Sequence, residues 1–180
     1  MKKHKMTKRL ILALGIIGLS VTGGRADSVN EKEITYADPT IYVENGKYYL
    51  TGTRNQEPQG FAILESTDLE HWTVPDGTSL QLILRKGDQT YGEKGFWAPQ
   101  YFKDKRTYYF TYTANEQTVI ASSKSVFGPF RQKEVKPIDA SAKNIDSFLF
   151  KDDDGKYYLY HVRFNKGNYL WVAEFDIKKG

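Results

Sequence analysis

YADPTIYVENGKYYLTGT, residues 36–53, carries the two features that decide how this chain folds. Polar and apolar residues alternate on either side of Asn45-Gly46, a pair that tolerates the positive φ angles of a type I′ turn, so the stretch reads as a β-hairpin. At its head Asp38 stands against Pro39. Proline disfavours helical conformations in the residue before it and cannot donate to a strand ladder, so Asp38 is expected to be extended and held at the mouth of its strand.

The hairpin returns twice. Pro99 to Phe110 overlays Pro39 to Leu50 without a gap, placing Tyr108-Tyr109 on Tyr48-Tyr49. Asp146 to Leu159 overlays Asp38 to Leu50 with one residue inserted at the turn. The second tip, Asp104-Lys105-Arg106, has no glycine; the third carries Asp154-Gly155. A further strand follows each hairpin, in "GFAILESTDLEHW", "TVIASSKSVFGPF" and "YLWVAEFD". With helical periodicity nearly absent, the chain reads as all-β. Meanders recurring about every 50 to 60 residues fall in the range of propeller blades. The competing architecture is a plain β-sandwich whose hairpins are alike by chance. Blade I is expected at about residues 34–84, blade II at about 95–131 and blade III at about 144–177. A blade cannot bury both faces alone, and propellers typically close with four to eight. A chain that reaches "FDIKKG" after three is therefore expected to be an incomplete, partial propeller spanning residues 27–180.

Ahead of the repeats, Lys2, Lys3, Lys5, Lys8 and Arg9 precede the apolar "LILALGIIGLSV" and the small, polar "TGGRADS". This pattern predicts a signal peptide over residues 1–26, cleaved after the Gly24-x-Ala26 site, and hence export to a periplasmic or extracellular location. The alternative, a membrane anchor, requires about 20 apolar residues, more than the run supplies. Six of the 26 basic residues and none of the 22 acidic ones lie in this segment, leaving 20 against 22 in the remainder. The basic balance belongs to the leader, so it does not support nucleic acid or membrane as a partner once the leader is removed. There is no cysteine, so stability must come from apolar burial, to which 13 Tyr, 10 Phe and 3 Trp contribute most.

An isolated Asp-Pro is ordinarily a turn starter, but the repeat gives it a second meaning. At the place of Asp38, blade II has Ala98, preceded by Trp97, and blade III has Asp146. If the hairpins form the innermost strands, Asp38, Trp97 and Asp146 meet at the mouth of one central channel. Two carboxylates and an indole in a polar pocket suit sugars: a ring stacks on the aromatic while the acidic groups bind hydroxyls or move protons. Inverting glycosidases use two carboxyl groups about 6.5 to 9.5 Å apart, a separation that different blades can provide.

Four motifs, "YADPTIYVENGKYYL", Ser66-x-Asp68-Leu69-x-x-Trp72, "FWAPQYFKDKRTYYFTY" and "IDSFLFKDDDGKYYLYHV", together resemble the first three blades of glycoside hydrolase family 43, a five-bladed β-propeller. The resemblance covers residues 34–177 in the family's order and spacing. It implies a glycosidase that cleaves arabinose- or xylose-containing polysaccharides or oligosaccharides by inversion, with carbohydrate as its substrate, no cofactor, and room for a structural calcium ion in the channel of the full-length protein. By the same resemblance Asp38 is the general base that activates water, Asp146 orients the general acid and tunes its pKa, and Trp97 lies beside the sugar. The family's general acid is a glutamate in the fourth blade, usually within Glu-Gly-Pro, a motif this sequence lacks. Glu174 stands in the wrong strand and Glu93 has no matching motif, so the acid is unassigned. General acid catalysis contributes about 10²- to 10⁴-fold, so this chain alone is expected to be inactive.

Other residues have plainer readings. Asp152 to Gly155 resembles a calcium loop, but the twelfth position of an EF-hand would be Arg163 rather than Glu, so it reads as a turn tip. His4, His71 and His161 are too scattered for a zinc site. His161 is expected as a partly buried strand residue, with the channel as its alternative. The tyrosine pairs read as blade packing on alternate faces. Ser66, Asp68 and Trp72 read as braces of an outer strand, and residues 75–95 as a loop shaping outer subsites. Two other functions fit a propeller. One is a carbohydrate-binding module without catalysis. The other is a protein-interaction module, which would show Trp-Asp or paired-glycine signatures that the repeats lack.

Overall fold

The computed structural model describes residues 34–178; the leader expected at residues 1–26 lies outside them. The described residues form eleven strands and no helix. β1 (Ala37–Glu44) and β2 (Lys47–Thr53) make the first hairpin, followed by β3 (Gly60–Ala62), β4 (Leu64–Ser66) and β5 (Leu82–Arg85). The second group is β6 (Trp97–Asp104), β7 (Thr107–Ala114) and β8 (Gln117–Ser123). The third is β9 (Asn144–Lys151), β10 (Tyr157–Phe164) and β11 (Asn168–Glu174).

Three antiparallel sheets repeat one plan, with orders β1-β2-β4, β6-β7-β8 and β9-β10-β11. Single bridges extend the first two outward, Glu65 to Thr73 and Ser122 to Arg131. The turn residues Asn45 and Gly46 both have positive φ, +52° and +74°, as the Asn-Gly signal requires. Lys105 takes the same left-handed conformation, at +53°, in the glycine-free second turn. The stretch from Gly60 to Ser66 does not remain one strand. β4 stays with the first sheet, while β3 pairs with β5, and the Ile83 carbonyl then accepts the Phe130 N–H at 2.8 Å. This small sheet ties the first blade to the second.

Strand alternation explains the packing between sheets. Tyr42 on β1 stacks on Tyr101 of β6, with ring centroids 5.4 Å apart. Behind this pair lies a core of Phe61, Phe96, Phe110, Tyr112 and Phe130. Phe110 is fully buried and meets Phe61, Tyr101 and Phe130 at 5.0 to 5.1 Å. Between the second and third sheets, Leu149 and Leu159 pack on Ile120, and Phe102 meets Tyr157 edge-on. Adjacent tyrosines serve opposite faces: Tyr49 joins the larger core and Tyr48 the cluster of Leu50, Leu64 and Trp72, while Tyr108 and Tyr109 face the first and third sheets.

The ends of the first strands are stapled by charge. Glu44, the last residue of β1, pairs with Lys103 of β6; Asp104, the last of β6, pairs with Lys151 of β9 at 2.8 Å. Lys103 and Lys151 occupy the same place in the repeat, as do Glu44 and Asp104, so one ion pair is used twice. The outward face of the third sheet exposes Phe148, Phe150, Phe164, Leu170 and Val172, and that of the first exposes Ile41 and Val43. Each blade is apolar on both sides, as stacked repeats require.

Phe110→Ala is expected to lower stability by about 3 to 5 kcal/mol, because it opens a cavity among four aromatic neighbours, Phe61, Tyr101, Tyr112 and Phe130. Phe148→Ala, on the open face, is expected to change it by no more than about 0.5 kcal/mol. Urea denaturation of the two variants beside the parent checks the contrast.

Candidate active site

β1, β6 and β9 lie side by side, β1 packed on β6 and β6 on β9. Each begins with an irregularity of register: between Ala37 and Thr40, between Trp97 and Gln100, and in the stretch of β9 opposite Tyr160 to Val162. A bulge bends its strand and re-aims a side chain. At each one sits a residue with left-handed backbone, Asp38 at φ +46°, Ala98 at +45° and Asp146 at +54°. The extended conformation expected of Asp38 is therefore not observed: the bulge, rather than Pro39, sets its backbone. Such conformations cost a non-glycine residue about 1 to 3 kcal/mol and persist where neighbours enforce them.

The neighbours that enforce them are threonines. Thr53 lies opposite Ala37 in β2 and is almost fully buried. Its hydroxyl donates to Asp38 Oδ2 at 2.8 Å and accepts the Ala98 N–H of the next sheet at 2.8 Å. Thr113 lies opposite Trp97 in β7, the same place in the repeat, and accepts the Asp146 N–H of the third sheet at 3.1 Å. The corresponding place opposite Ile145 holds Val162, which has no hydroxyl. Sequence reading did not single out these threonines. The signal was present: extending the overlay by three residues sets Thr51-Gly52-Thr53 on Thr111-Tyr112-Thr113.

The clamps bring the expected site residues to one end of the sheets, where Asp38, Trp97 and Asp146 are all open to solvent. Partial withdrawal from water raises the Asp146 carboxyl above its usual range, and the Asp38 carboxylate adds to the effect. The Asp38 charge therefore reaches Asp146 although blade II lies between them in the chain. The Trp97 indole rests on Gly95, where a Cβ would stand only 3.1 to 3.2 Å from the ring and φ is +68°. The loop carrying Gly95 is held by Asn115, whose Oδ1 accepts the N–H groups of Glu93 and Lys94.

Other candidates lie elsewhere. Glu174 pairs with Lys156 at 3.0 Å on the outermost strand, and the exposed Glu93 pairs with Lys86. Ser66 donates to Asp68, Asp68 engages His71, and the buried Trp72 donates to the Leu69 carbonyl, so this motif braces blade I. His161 is a partly buried residue of β10. Asp152 to Gly155 closes a turn, with the Gly155 N–H on the Asp152 carbonyl. Among the described residues, no group of three or more His, Cys, Asp or Glu side chains is placed to hold a metal ion.

Comparison with known proteins places this geometry in a family. The model for glycosyl hydrolases family 43 matches residues 32–180. The extracellular endo-α-(1→5)-L-arabinanase 1 of Bacillus subtilis is 29% identical over 177 residues, covering 88% of this chain and 54% of that protein. Xylosidase/arabinosidase 43A of Humicola insolens is 28% identical over 164 residues, covering 78% and 50%. Among solved structures, an endo-1,4-β-xylanase from Bacteroides thetaiotaomicron superimposes with a TM-score of 0.71 at 39% identity, covering 79% of this chain and 48% of that one. The chain thus spans about half the length of these relatives, and its fold is a portion of the five-bladed β-propeller.

Asp38→Asn is expected to lower the titration midpoint of Asp146, because it removes the neighbouring negative charge. Folding raises this carboxyl from its ordinary 3.8. Its stabilising contribution is therefore complete below that value and is lost as pH rises through the folded midpoint. In Asp38→Asn the loss should be smaller and occur at lower pH. Carboxyl ¹³C NMR titration of both proteins reads the shift, and an unmoved Asp146 midpoint would contradict the proximity of the two acids.

Proposed function

The chain belongs to glycosyl hydrolases family 43, and on that premise we propose that it forms the first three blades of an exported glycosidase that cleaves arabinose- or xylose-containing polysaccharides or oligosaccharides by inversion. The observation that carries the proposal is the meeting of Asp38 and Asp146. They occupy equivalent bulges of the first and third blades, and the Asp38 charge adds to the burial that raises the Asp146 carboxyl. Relatives named as an arabinanase and a xylosidase/arabinosidase support the substrate class. A relative named as extracellular supports export, with residues 1–26 as the removed leader.

In this reading Asp38 is the general base. One of its oxygens is occupied by the Thr53 hydroxyl. A carboxylate offers about four lone-pair sites, so capacity is left to take the proton of a water attacking the anomeric carbon. Trp97, braced from behind by Gly95, offers its open face to the sugar ring. Asp146 orients the acid and tunes its pKa. No glutamate of the described residues is assigned as that acid. The second reading is a carbohydrate-binding propeller that does not catalyse, which a fourth blade without an acidic residue would favour.

Substrates with a good leaving group separate the two readings, because they depend least on the acid. In the full-length protein, with 4-nitrophenyl α-L-arabinofuranoside or β-D-xyloside, Asp38→Asn is expected to lower kcat by about 10²- to 10⁴-fold while oligosaccharide binding measured by calorimetry is largely kept. Turnover within about tenfold of the parent would count against Asp38 as the base. Sugar binding without turnover in the full-length parent would establish the binding module instead. Trp97→Ala is expected to weaken oligosaccharide binding by about 1 to 3 kcal/mol through lost stacking and apolar burial. Unchanged affinity would remove Trp97 from the site.

A further inference from the structure

Thr53 stands at the junction of two sheets and has a contact on each side of it. Its hydroxyl hydrogen is committed to Asp38 Oδ2 of the first sheet, and a lone pair to the Ala98 N–H of the second, both at 2.8 Å. Thr113, which repeats the position, makes only the second of these contacts, to the Asp146 N–H. The backbone link between sheets is therefore general to both junctions, while the side-chain link to a carboxylate belongs to Thr53 alone. Asp38 is exposed and sits on a strained bulge, so nothing else shown to contact its carboxylate holds it in one orientation. The direction of the hydrogen bonds is fixed by chemistry. An amide N–H can only donate to the hydroxyl oxygen, which leaves the hydroxyl proton for the carboxylate.

We propose that Thr53 is a positioning residue that locks the Asp38 carboxylate to the backbone of the second blade, so that the base and the platform formed by Trp97 move as one unit. Ala98 is the immediate neighbour of Trp97, so a single hydroxyl registers the carboxylate against the segment that carries the indole. The proposal rests on the reading of Asp38 as the base, but the lock itself is measurable without turnover.

The test compares Thr53→Ser, Thr53→Val and Thr53→Ala with the parent and with Thr113→Val. NMR supplies two readouts: amide hydrogen exchange at Ala98, and the three-bond couplings that report whether the Asp38 side chain keeps one χ1 rotamer. Serine preserves both contacts and is expected to match the parent. Valine keeps the shape but neither contact, and alanine serves where valine does not fold. Both should speed exchange at Ala98 by about tenfold or more and average the Asp38 rotamers. Thr113→Val should loosen the Asp146 amide and leave the Asp38 rotamer single. An ordered Asp38 with a protected Ala98 in the valine or alanine variant overturns the lock. Where the aryl glycoside is turned over, valine should lower kcat by about 10- to 100-fold with little change in KM, and serine should restore it. A mobile Asp38 with unchanged turnover leaves the lock standing and removes Asp38 as the base.

Discussion

A buried hydroxyl that donates to one sheet and accepts from the next is the interaction on which the arrangement of this molecule depends. Radial packing of sheets controls their spacing through side-chain volume, but apolar contacts are non-directional and tolerate sliding. The threonine links remove that freedom at one end of each junction, and they do so at the bulges where the first strands begin. The ion pairs Glu44–Lys103 and Asp104–Lys151 remove it at the other end. Each junction is thus held at two points with an aromatic core between them. The left-handed residues Asp38, Ala98 and Asp146 are accommodated within that frame.

The far end is also chemically robust. Burial disfavours the charged form of Glu44, yet hydrogen bonds from Lys103 and Tyr108 outweigh it and hold the carboxyl below its usual range. Lys103 is raised in turn, first by its bond to Glu44. Tyr42, beside them, is pushed up to about 12 by burial and by the Glu44 charge, so it remains a neutral donor at any ordinary pH. Charge states in this cluster therefore stay constant where the mouth, with Asp146 raised, is sensitive to acid.

The repeat was legible in the sequence because it is written in residues whose local chemistry is strong. Asn45-Gly46 demands its turn, and the doubled tyrosines mark strands whose two faces are both covered. The acidic pair was legible only because the overlay set Asp146 on Asp38; neither residue alone carries the signal. Three things were hidden. The backbone of Asp38 follows a bulge, and bulges depend on how two strands pair rather than on the residues at the point. The splitting of Gly60 to Ser66 between two sheets depends on β5, which lies 20 residues away in the chain. The role of Thr53 needs a partner in another blade, 45 residues distant, and threonine is otherwise an ordinary strand residue. The family resemblance supplied roles for Asp38, Asp146 and Trp97, and the structure sets these residues at the bulged starts of β1, β6 and β9.

The two fastenings of each junction differ in kind, and that difference has an environmental consequence. One is a hydroxyl bonded to an amide, which carries no net charge to screen at the amide side; the other is an ion pair only partly shielded from solvent. At about 1 M ionic strength the Debye length contracts to about 3 Å, which weakens exposed pairs far more than neutral hydrogen bonds. Brine therefore softens the ion-paired end of each junction first, while the threonine-clamped end keeps its dimensions.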